Sequence, residues 1–586
     1  MSGLGMVLNI AKGALAAQQY AMNVTGHNIA NVNTEGYSRQ SPILEPKQAL
    51  LYQGMLLGRG VETEQVTRSV DQFVENKLMQ EKSSMLSSQE MEKYMQVLEG
   101  IFSENSGTSI SSMLSDYWNL WNDISNNPSG SSERIALYEH SVLMSNQFKS
   151  LGLDLNQIQT DITNAVTVGV ERINQITSEI GQINIKIAGT EANNVANDLR
   201  DKRNVLVSEL NEYLDVKTFE QSNHSLSIVT ARGCPLVQGD SNYELEMGGS
   251  DGDRVQWQNS AGNYVDITDY ITNGKLGGLL DVRDRIISKY KLDLDEMAKE
   301  FIWSVNQQHS QGVGLEGFSM VTGTYQATDE TAALDSSGLT YADKIVDGNF
   351  RMWVYDEDGN YVTDDTITID ADVTQLDAGV AGDIITQITN IHGNITATTT
   401  NRKIQIATAN NYTFAFSDDT SNVLAALGIN TFFSGSSSGN ISVNSTIVGN
   451  KNYIAAARID TATGEFASGD NDNALTMTDL QYTSMDISQW TCDRINGDTE
   501  GSTTTTIEDY YHSMVGSIGI VSSSISRDRD FNEMMVDKLN TLRNSISAVS
   551  LDEEMINLIK YQHAYQAAAK LITISDEMLN ALLSAR

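Results

Sequence analysis

The sequence predicts an α+β protein of several domains: a long helical bundle built from both halves of the chain, inserted all-β structure, and a coiled-coil helix at each end. Three observations predict this architecture. Apolar residues recur in steps of three and four over long stretches towards both termini. The central part of the chain alternates in polarity and is rich in turn residues. Only four prolines occur in 586 residues, so long helices escape the ~3 kcal/mol penalty of an internal proline.

The composition is that of an acidic globular protein. The formal net charge is −38, and 40% of the residues are hydrophobic, which suffices for several buried cores. A surface of this charge repels phosphate backbones and anionic lipid headgroups, so we expect neither nucleic acid nor a membrane as a partner. No run approaches ~18 consecutive apolar residues. The first residues lack the basic and apolar regions of a cleaved secretory signal.

The first predicted segment, residues 1–60, begins with a helix that carries a narrow apolar seam. The seam alternates steps of four and three residues, with Gln18 and Thr25 as polar interruptions. A stripe of this width does not enclose a core by itself and requires a partner helix along its length. The seam residues that we predict for assembly are Leu4, Leu8, Leu15, Met22 and Ile29.

A helical rod domain is predicted over residues 61–317. Its helices cover 69–99, 109–126, a single long pattern from about 131 to 188, and an antiparallel return over 191–214. Alternation and turn residues at about 216–270 predict a small β subdomain within it, and a helix follows over 278–308. Residues 473–547 resume the three-four rhythm from Ile507 to Ile546 and return the chain to the rod domain.

Residues 318–472 are predicted to form an inserted, β-rich outer domain. Short strands are predicted at 395–400, 403–407 and 412–416, and Asp358-Gly359 is a hairpin signal. The acidic run that ends at Gly359 has its glycine at the fourth position, whereas a calcium-binding EF-hand loop requires it at the sixth. We therefore predict a turn there and not a metal site.

The last segment, residues 548–586, is predicted to be a second seam helix with acidic residues in its first turn, where they suit the helix dipole. The two terminal helices can pair with each other and with copies of themselves. Periodicity alone favours an ordinary intramolecular helix pair. The predicted seam residues of this helix are Leu551, Met555, Leu558, Tyr565, Ile572 and Leu579.

No pattern of catalytic, cofactor-binding or metal-binding residues is present in the sequence. The seven histidines do not stand at zinc-ligand spacing, and neither a phosphate-binding loop nor a nucleophile elbow occurs. Cys234 and Cys492 lack the spacing of a redox or zinc motif, and the sequence does not decide whether they ever pair. We therefore expect no cofactor, and a structural protein in place of an enzyme.

Residues 24–40 read Val-Thr-Gly-His-Asn-Ile-Ala-Asn-Val-Asn-Thr-Glu-Gly-Tyr-Ser-Arg-Gln. This segment resembles the N-terminal signature of the axial flagellar proteins, and its ending resembles the family of hook-associated protein 1 (FlgK). The run Tyr561-Gln-His-Ala-Tyr-Gln-Ala-Ala-Ala569 is similar to the C-terminal helix of that family, from which His563 and Ala568 depart. The segments 197–203, 277–283, 424–433 and 551–554 also resemble family landmarks.

The resemblance implies a structural subunit of the bacterial flagellum at the hook–filament junction, required for filament assembly on the hook. It implies a ring of copies between hook protein and hook-associated protein 3, and terminal helices that line the channel and order only on assembly. It also implies export without a cleaved signal through the flagellar type III pathway to an extracellular location. A cytoplasmic export chaperone would hold the C-terminal helix, with Tyr561 and Tyr565 as candidate contacts.

The signature segment supplies the remaining residues that we predict for the assembly interface. Asn28, Asn31 and Asn33 are expected to bond backbone groups where the first helix ends, either as part of the interface or as simple caps. Gly36 is expected to take a backbone conformation that other residues resist, and Tyr37 follows it. Two alternatives stay open: another axial protein, such as hook protein or hook-associated protein 3, or an adhesin or enzyme carried on the inserted β region.

Overall fold

The computed structural model describes residues 2–52, 55–103, 109–191 and 195–584. It is an α+β protein with long helices and several small sheets, as the sequence predicts. The longest helix is continuous from Ser131 to Glu191. Within the described part of the chain, no helix combines the length and the apolarity that crossing a bilayer requires.

The helices lie close to the predicted positions. The predicted helix over 191–214 begins at Asn197 in the structure, and 192–194 are outside the described residues. The helix predicted over 278–308 begins earlier, at Gly274, and is interrupted by a π-helical turn at Val282–Ile287. The helices are α1 Ser2–Ala30, α2 Gln72–Ile101, α3 Ile110–Asn126, α4 Ser131–Glu191, α5 Asn197–Tyr213, α6 Gly274–Asp281, α7 Ser288–Ser310, α8 Ile384–Thr389, α9 Val423–Leu427, α10 Ser445–Gly449, α11 Asp472–Asp479, α12 Ile507–Ser547 and α13 Leu551–Ser584.

The strands form small antiparallel sheets. They are β1 Gln40–Pro46, β2 Leu50–Tyr52, β3 Met55–Leu57, β4 Val61–Arg68, β5 Val216–Glu220, β6 Leu226–Thr230, β7 Pro235–Gln238, β8 Ser241–Asn242, β9 Leu245–Gly248, β10 Arg254–Gln258, β11 Tyr264–Asp266, β12 Met320–Thr322, β13 Gly348–Tyr355, β14 Tyr361–Ile369, β15 Ile395–Thr400, β16 Lys403–Thr408, β17 Thr413–Ser417, β18 Phe433–Ser434, β19 Ser442–Val443, β20 Met485–Thr491 and β21 Thr499–Thr505.

The chain divides into two compact units, each assembled from separate stretches of sequence. The first unit takes residues 1–93, 162–282 and 523–586, and the second takes residues 94–161 and 283–522. Each unit therefore contains residues from both the N-terminal and the C-terminal half of the chain. Long helices connect these distant stretches.

The first unit contains the two chain ends and the helices that surround them. The apolar stripe predicted on the long helix α4 is buried in this unit at Ile162, Val166, Ile173 and Ile180, among others. At Gly169, where the predicted stripe slips in register, an added Cβ would lie 2.5 Å from the side chain of Leu276. The break in the apolar stripe therefore lies where α6 packs closely against α4. Only glycine, which has no side chain, leaves room for Leu276 at this position.

The sheets of the first unit are short. Strands β5 to β8 form a four-stranded sheet in chain order, and β9 to β11 form a three-stranded one, so a β subdomain is present where the sequence predicts it. Strands β1 and β4 pair from Gln40↔Arg68 to Pro46↔Val61, with one irregularity between Ile43 and Leu44. Strand β1 falls inside the segment that was predicted only as a terminal coiled-coil region, whereas β4 lies at the start of the predicted rod domain.

The second unit is built around aromatic side chains of helices and loops. Tyr117 of α3 contacts Phe301 of α7 edge to face, with 5.5 Å between ring centroids. Phe432 and Phe433, from the predicted β-rich region, join the same cluster, and Asn306 of α7 donates a hydrogen bond to the Phe433 carbonyl. The inserted segment thus shares a core with the helices of its unit.

The β-rich segment contains two three-stranded sheets, ordered β14-β13-β17 and β12-β16-β15. Its three predicted short strands are β15, β16 and β17, and Asp358-Gly359 lies in the turn between β13 and β14. Asp356 accepts hydrogen bonds there from the backbone N–H groups of Asp358 and Asn360, so the acidic run is a turn as predicted. The segment also contains the short helices α8, α9 and α10.

One hairpin was missed. Strands β20 and β21 pair from Met485↔Thr505 to Thr491↔Thr499, within residues predicted only as the return of the helical domain. Asn496-Gly497 precedes β21, and Gly497 has φ +81°, so the sequence did contain a hairpin signal. The hairpin packs on α7, where the N–H of Trp490 donates to the Asp293 carboxylate at 2.8 Å.

Candidate functional site

The two terminal helices form an antiparallel pair in the first unit. Asn28, near the end of α1, lies 3.1 Å from the carboxylate of Glu554, in the first turn of α13. We call α1 and α13 the terminal pair. The contact brings together residues from opposite ends of the sequence, so the structure contains the pairing of the ends that periodicity left open.

Small and polar side chains are the buried residues of α1. The buried residues of this helix are Ala11, Ala17, Ala21, Thr25 and Asn28. Alanine at these positions lets helix backbones approach closely, as small residues do at other helix interfaces. Ala11 and Thr25 belong to the stripe of four-residue and three-residue steps that periodicity selects, whereas Ala17, Ala21 and Asn28 lie beside it.

The large predicted seam residues flank this contact. On α1, Leu4, Leu15, Met22 and Ile29 are half-buried and Leu8 is exposed. On α13, Leu558, Tyr565 and Ile572 are half-buried, whereas Leu551, Met555 and Leu579 are exposed. One chain alone therefore leaves much of both predicted seams in solvent.

Asn28 connects the terminal pair to the segment that follows α1. Its Nδ2 group donates to the Gln40 carbonyl at 2.8 Å, and its Oδ1 accepts from the Gln40 N–H at 3.0 Å. Tyr37 donates to the same Oδ1 at 2.8 Å. Asn28 is buried, so these bonds satisfy a polar group that would otherwise be costly to remove from water.

Arg39 clamps the start of α13. Its Nε group lies 2.9 Å from Glu554 and its Nη1 group lies 2.7 Å from Glu553. The Glu554 side chain is only 3% exposed, whereas that of Glu553 is 60% exposed. A buried carboxylate requires a charged or hydrogen-bonded partner, and Glu554 obtains both kinds from Arg39 and Asn28.

Asp198 and Asp201 of α5 complete this arrangement. Asp201 accepts from the Ser38 N–H at 3.0 Å and from Arg68 at 2.8 Å, and Asp198 accepts from the Gln40 side chain at 2.8 Å. We define the polar network as Asn28, Arg39, Gln40, Asp198, Asp201 and Glu554. The network joins three segments that are far apart in the sequence, 24–40, 197–203 and 551–554.

Gly36 adopts the predicted left-handed conformation, with φ +74°. A Cβ at this position would lie 2.1 Å from Cγ2 of Val205, so both conformation and space select glycine. The next residue, Tyr37, is half-buried and faces acidic groups. Burial raises the pKa of Tyr37, and the charges of Asp198, Asp201 and Glu554 raise it further, so this phenol stays protonated and donates.

The remaining predicted residues of the signature segment differ in their contacts. Asn31 donates to the His27 carbonyl at 3.0 Å, which is the backbone bond that we predicted. Asn33 is exposed, and its side chain bonds no backbone group among the residues described, because it lies in the turn after α1. On α13, Tyr561 and Tyr565 are half-buried on the face that carries Glu554 and Ala568.

A polar groove of about 660 Å³ opens beside the signature segment, between residues of α2, α5 and the end of α12. Burial raises the pKa of Glu75 in this groove, against the opposing charges of Arg543 and Arg68. The described lining residues include neither histidine nor cysteine. The groove and the polar network offer hydrogen bonds and charge pairing, which position helices.

The network contains residues that sequence reasoning did not single out: Arg39, Gln40, Asp198, Asp201 and Glu554. Each lies within a segment that resembles a family landmark, and that position was the available signal. Periodicity could not reveal them, since these side chains are polar and their partners lie in distant segments. Acidic residues in the first turn of α13 were explained by the helix dipole, although Glu554 is buried and pairs with Arg39.

Three family models match separate parts of the chain. Residues 95–323 match the flagellar hook-associated protein FlgK helical domain. Residues 543–585 match the flagellar basal body rod FlgEFG protein C-terminal family, and residues 8–37 match the flagella basal body rod protein family. The matches to both ends cover most of α1, most of the signature segment and all of α13.

Full-length relatives and a solved structure agree with these matches. The flagellar hook-associated protein 1 of Escherichia coli K12 is 27% identical over 602 residues, covering 100% of both chains. That of Bacillus subtilis 168 is 24% identical over 619 residues, covering 100% of this chain and 99% of the relative. The structure of the flagellar hook junction protein FlgK from Burkholderia pseudomallei aligns with a TM-score of 0.52 at 17% identity, covering 80% of this chain and 100% of that one.

Proposed function

Because the chain belongs to the family of flagellar hook-associated protein 1, we propose that it is a structural subunit of the bacterial flagellum that forms the hook–filament junction and is required for filament assembly. The relatives that share its full length are structural flagellar proteins. We further propose that the chain has no catalytic activity, which accords with the absence of a catalytic motif in its sequence.

One observation carries the proposal: the polar network fixes two terminal helices whose apolar side chains are only partly covered. Leu8, Leu551, Met555 and Leu579 are exposed in the single chain. Burying apolar area contributes about 25 cal/mol per Å², so neighbouring subunits would gain by covering these side chains. We propose residues 1–60 and 548–586 as the assembly segments on this basis.

The proposed partners follow from the family and from these surfaces. The chain would form a ring with copies of itself in the flagellar axis, between hook protein and hook-associated protein 3. It would be exported through the flagellar type III pathway, and an export chaperone would bind α13. Tyr561 and Tyr565 are half-buried on the face that carries Glu554, so a chaperone that contacts them would bind α13 before α1 pairs with it.

The test is the position of the tagged full chain on isolated flagella. We expect immunogold label at the hook–filament junction, and a strain without the chain should carry hooks that lack filaments. Label along the hook or along the filament, with filaments present in the deletion strain, would contradict the proposal.

A truncation separates assembly from folding. Removing residues 550–586 deletes α13 but leaves every residue of the second unit in place. We expect the truncated chain to retain most of its helical circular dichroism and to be absent from the hook tip. Normal incorporation of this truncated chain would refute the role given to the terminal pair.

A further inference from the structure

Two Asn-Gly pairs occur in the sequence, at 273–274 and at 496–497. Asparagine is among the thermolabile residues of proteins, because its side chain can lose ammonia to attack by the next backbone nitrogen. Glycine at the next position favours this attack, since it has no Cβ to shield its nitrogen. Both pairs have the same intrinsic chemistry, so a difference in their reactivity depends on the structure around them.

The pair at Asn496 lies in an exposed turn. This turn connects β20 to β21, and all residues from Ile495 to Glu500 are exposed. An added Cβ at Gly497 would meet nothing within 4 Å. The space around the Gly497 nitrogen and the Asn496 side chain is therefore open to water.

Asp493 holds this turn together. Its carboxylate accepts hydrogen bonds from the backbone N–H groups of Ile495 at 2.9 Å and Asn496 at 2.7 Å, and the Asn496 Nδ2 group donates to the same oxygen at 3.2 Å. The Gly497 N–H group donates to the Asp493 carbonyl at 3.0 Å. The attacking nitrogen is therefore released when this local hydrogen bond opens, and an exposed turn opens at little cost in free energy.

The pair at Asn273 is enclosed by the fold. Asn273 directly precedes α6, and its Oδ1 accepts a hydrogen bond from Ser84 of α2 at 3.3 Å. Gly274 is buried at the start of α6, as is Leu276, and a Cβ added at Gly274 would lie 2.5 Å from the backbone of Tyr213. Release of the Gly274 nitrogen therefore requires α6 to separate from its neighbours, which costs more free energy than opening a surface turn.

We propose that Asn496 is a site of spontaneous deamidation in the folded chain and that the fold protects Asn273. The backbone nitrogen of Gly497 attacks Cγ of Asn496, so that a C–N bond forms and the Cγ–Nδ2 bond breaks. The Nδ2 group leaves as ammonia and takes up the proton of the Gly497 nitrogen. One water molecule then opens the five-membered succinimide at either carbonyl, which yields aspartate or isoaspartate.

The product changes the charge of the turn. Hydrogen bonds from the backbone of Asn496 and Ile495 lower the pKa of Asp493, so this carboxylate is ionised. Deamidation replaces the Nδ2 donor, which lies 3.2 Å from Asp493, by a second carboxylate, and like charges this close repel each other. Deamidation therefore loosens the end of the hairpin β20–β21. This inference goes beyond the proposed function and does not depend on it, because it rests on the chemistry of the turn.

The test is peptide mapping by mass spectrometry of the purified full-length chain during storage in mildly alkaline buffer. Peptides that contain position 496 should lose the amide with time and appear as two acidic isomers, aspartate and isoaspartate. Conversion at Asn496 should exceed conversion at Asn273 by about tenfold or more, because the open states of the two sites differ in population. The variant Asn496→Gln should form no isoaspartate at this position, since glutamine would have to close a larger ring.

The matched control is the same chain unfolded in guanidinium chloride. Both Asn-Gly pairs should convert there at similar rates, because the fold no longer distinguishes them. An Asn496 that keeps its amide in the folded chain while it converts in the unfolded chain would overturn the inference, as would equal conversion of Asn273 and Asn496 in the folded chain. Formation of aspartate without isoaspartate would contradict attack by the Gly497 nitrogen, and a lack of conversion in the unfolded chain would contradict the chemistry assigned to the pair.

Discussion

Removal of the Glu554 carboxylate tests whether the polar network holds α13 against the signature segment. The variant is Glu554→Ala, and the matched control is its neighbour, Glu553→Ala. Both carboxylates contact Arg39, at 2.9 Å and 2.7 Å respectively. The two positions differ in exposure, since the Glu554 side chain is 3% exposed and that of Glu553 is 60% exposed. They share a helix turn and a partner, so burial is the main variable.

The magnitude follows from what each deletion leaves behind. Breaking a buried ion pair typically costs 3–5 kcal/mol, because one charge stays buried without a partner. Here Arg39 keeps Glu553 and is itself partly exposed, and Asn28 keeps the Gln40 carbonyl. We therefore expect E554A to cost less than this range, about 2 kcal/mol. For E553A we expect about 0–1 kcal/mol, as for other exposed pairs.

Hydrogen exchange of α13 amides is the appropriate assay, because the contact lies at one end of a helix and its loss opens that end locally. A loss of about 2 kcal/mol corresponds to exchange about 30-fold faster in the first turns of α13. The signature segment should lose protection with it, whereas the second unit should not change. Equal effects of E553A and E554A, or no effect of either, would refute the reasoning about burial.

Three further predictions concern single positions. Gly36→Ala should destabilise the first unit by about 2 kcal/mol in urea denaturation, since φ is +74° and the added Cβ meets a side chain. The control is Gly26→Ala, where an added Cβ meets nothing within 4 Å. This variant should stabilise α1 by up to about 1 kcal/mol by the same measurement. Asn28→Ala should cost about 2–3 kcal/mol because it removes several buried hydrogen bonds, whereas Asn33→Ala should stay within about 0.5 kcal/mol by the same measurement. Burial lowers the pKa of His309 to about 4, so the unfolded state binds the extra proton first, and stability should fall by up to about 3 kcal/mol as pH drops from about 6.5 towards 4. Urea denaturation across this range should show a shallower fall for His309→Gln, and an unchanged slope would contradict the assignment.

The long helices were largely predictable from the sequence, since they have apolar stripes at helical spacing, whereas the short helices α8 to α11 were not predicted. The buried isoleucines and valines of α4 are the ones that the spacing selects. The β hairpins were less predictable. The hairpin at Asp358-Gly359 was found through its turn, whereas β20–β21 was missed because the apolar rhythm on either side of it is helical. Short polar strands such as β21 have little hydrophobic signal of their own.

The candidate site was predictable in its location but not in its contacts. Spacing located seams at both ends of the chain, and the resemblance drew attention to the signature segment. Spacing selected a stripe of apolar and small residues, but it did not show which members of the stripe would be buried. Three of the five buried residues that the structure describes on α1 are alanines, since a short distance between helix backbones selects small side chains.

The sequence by itself determined the fold class of the protein, the positions of its long helices and the periodic apolar stripes at both ends. These properties are local, because helical periodicity, turn residues and short motifs are read from neighbours in the chain. Only the tertiary structure decided that segments 24–40, 197–203 and 551–554 meet in one buried polar network. A hydrogen bond or ion pair between residues hundreds of positions apart depends on where the fold brings them, as for Asn28 and Glu554 at 3.1 Å.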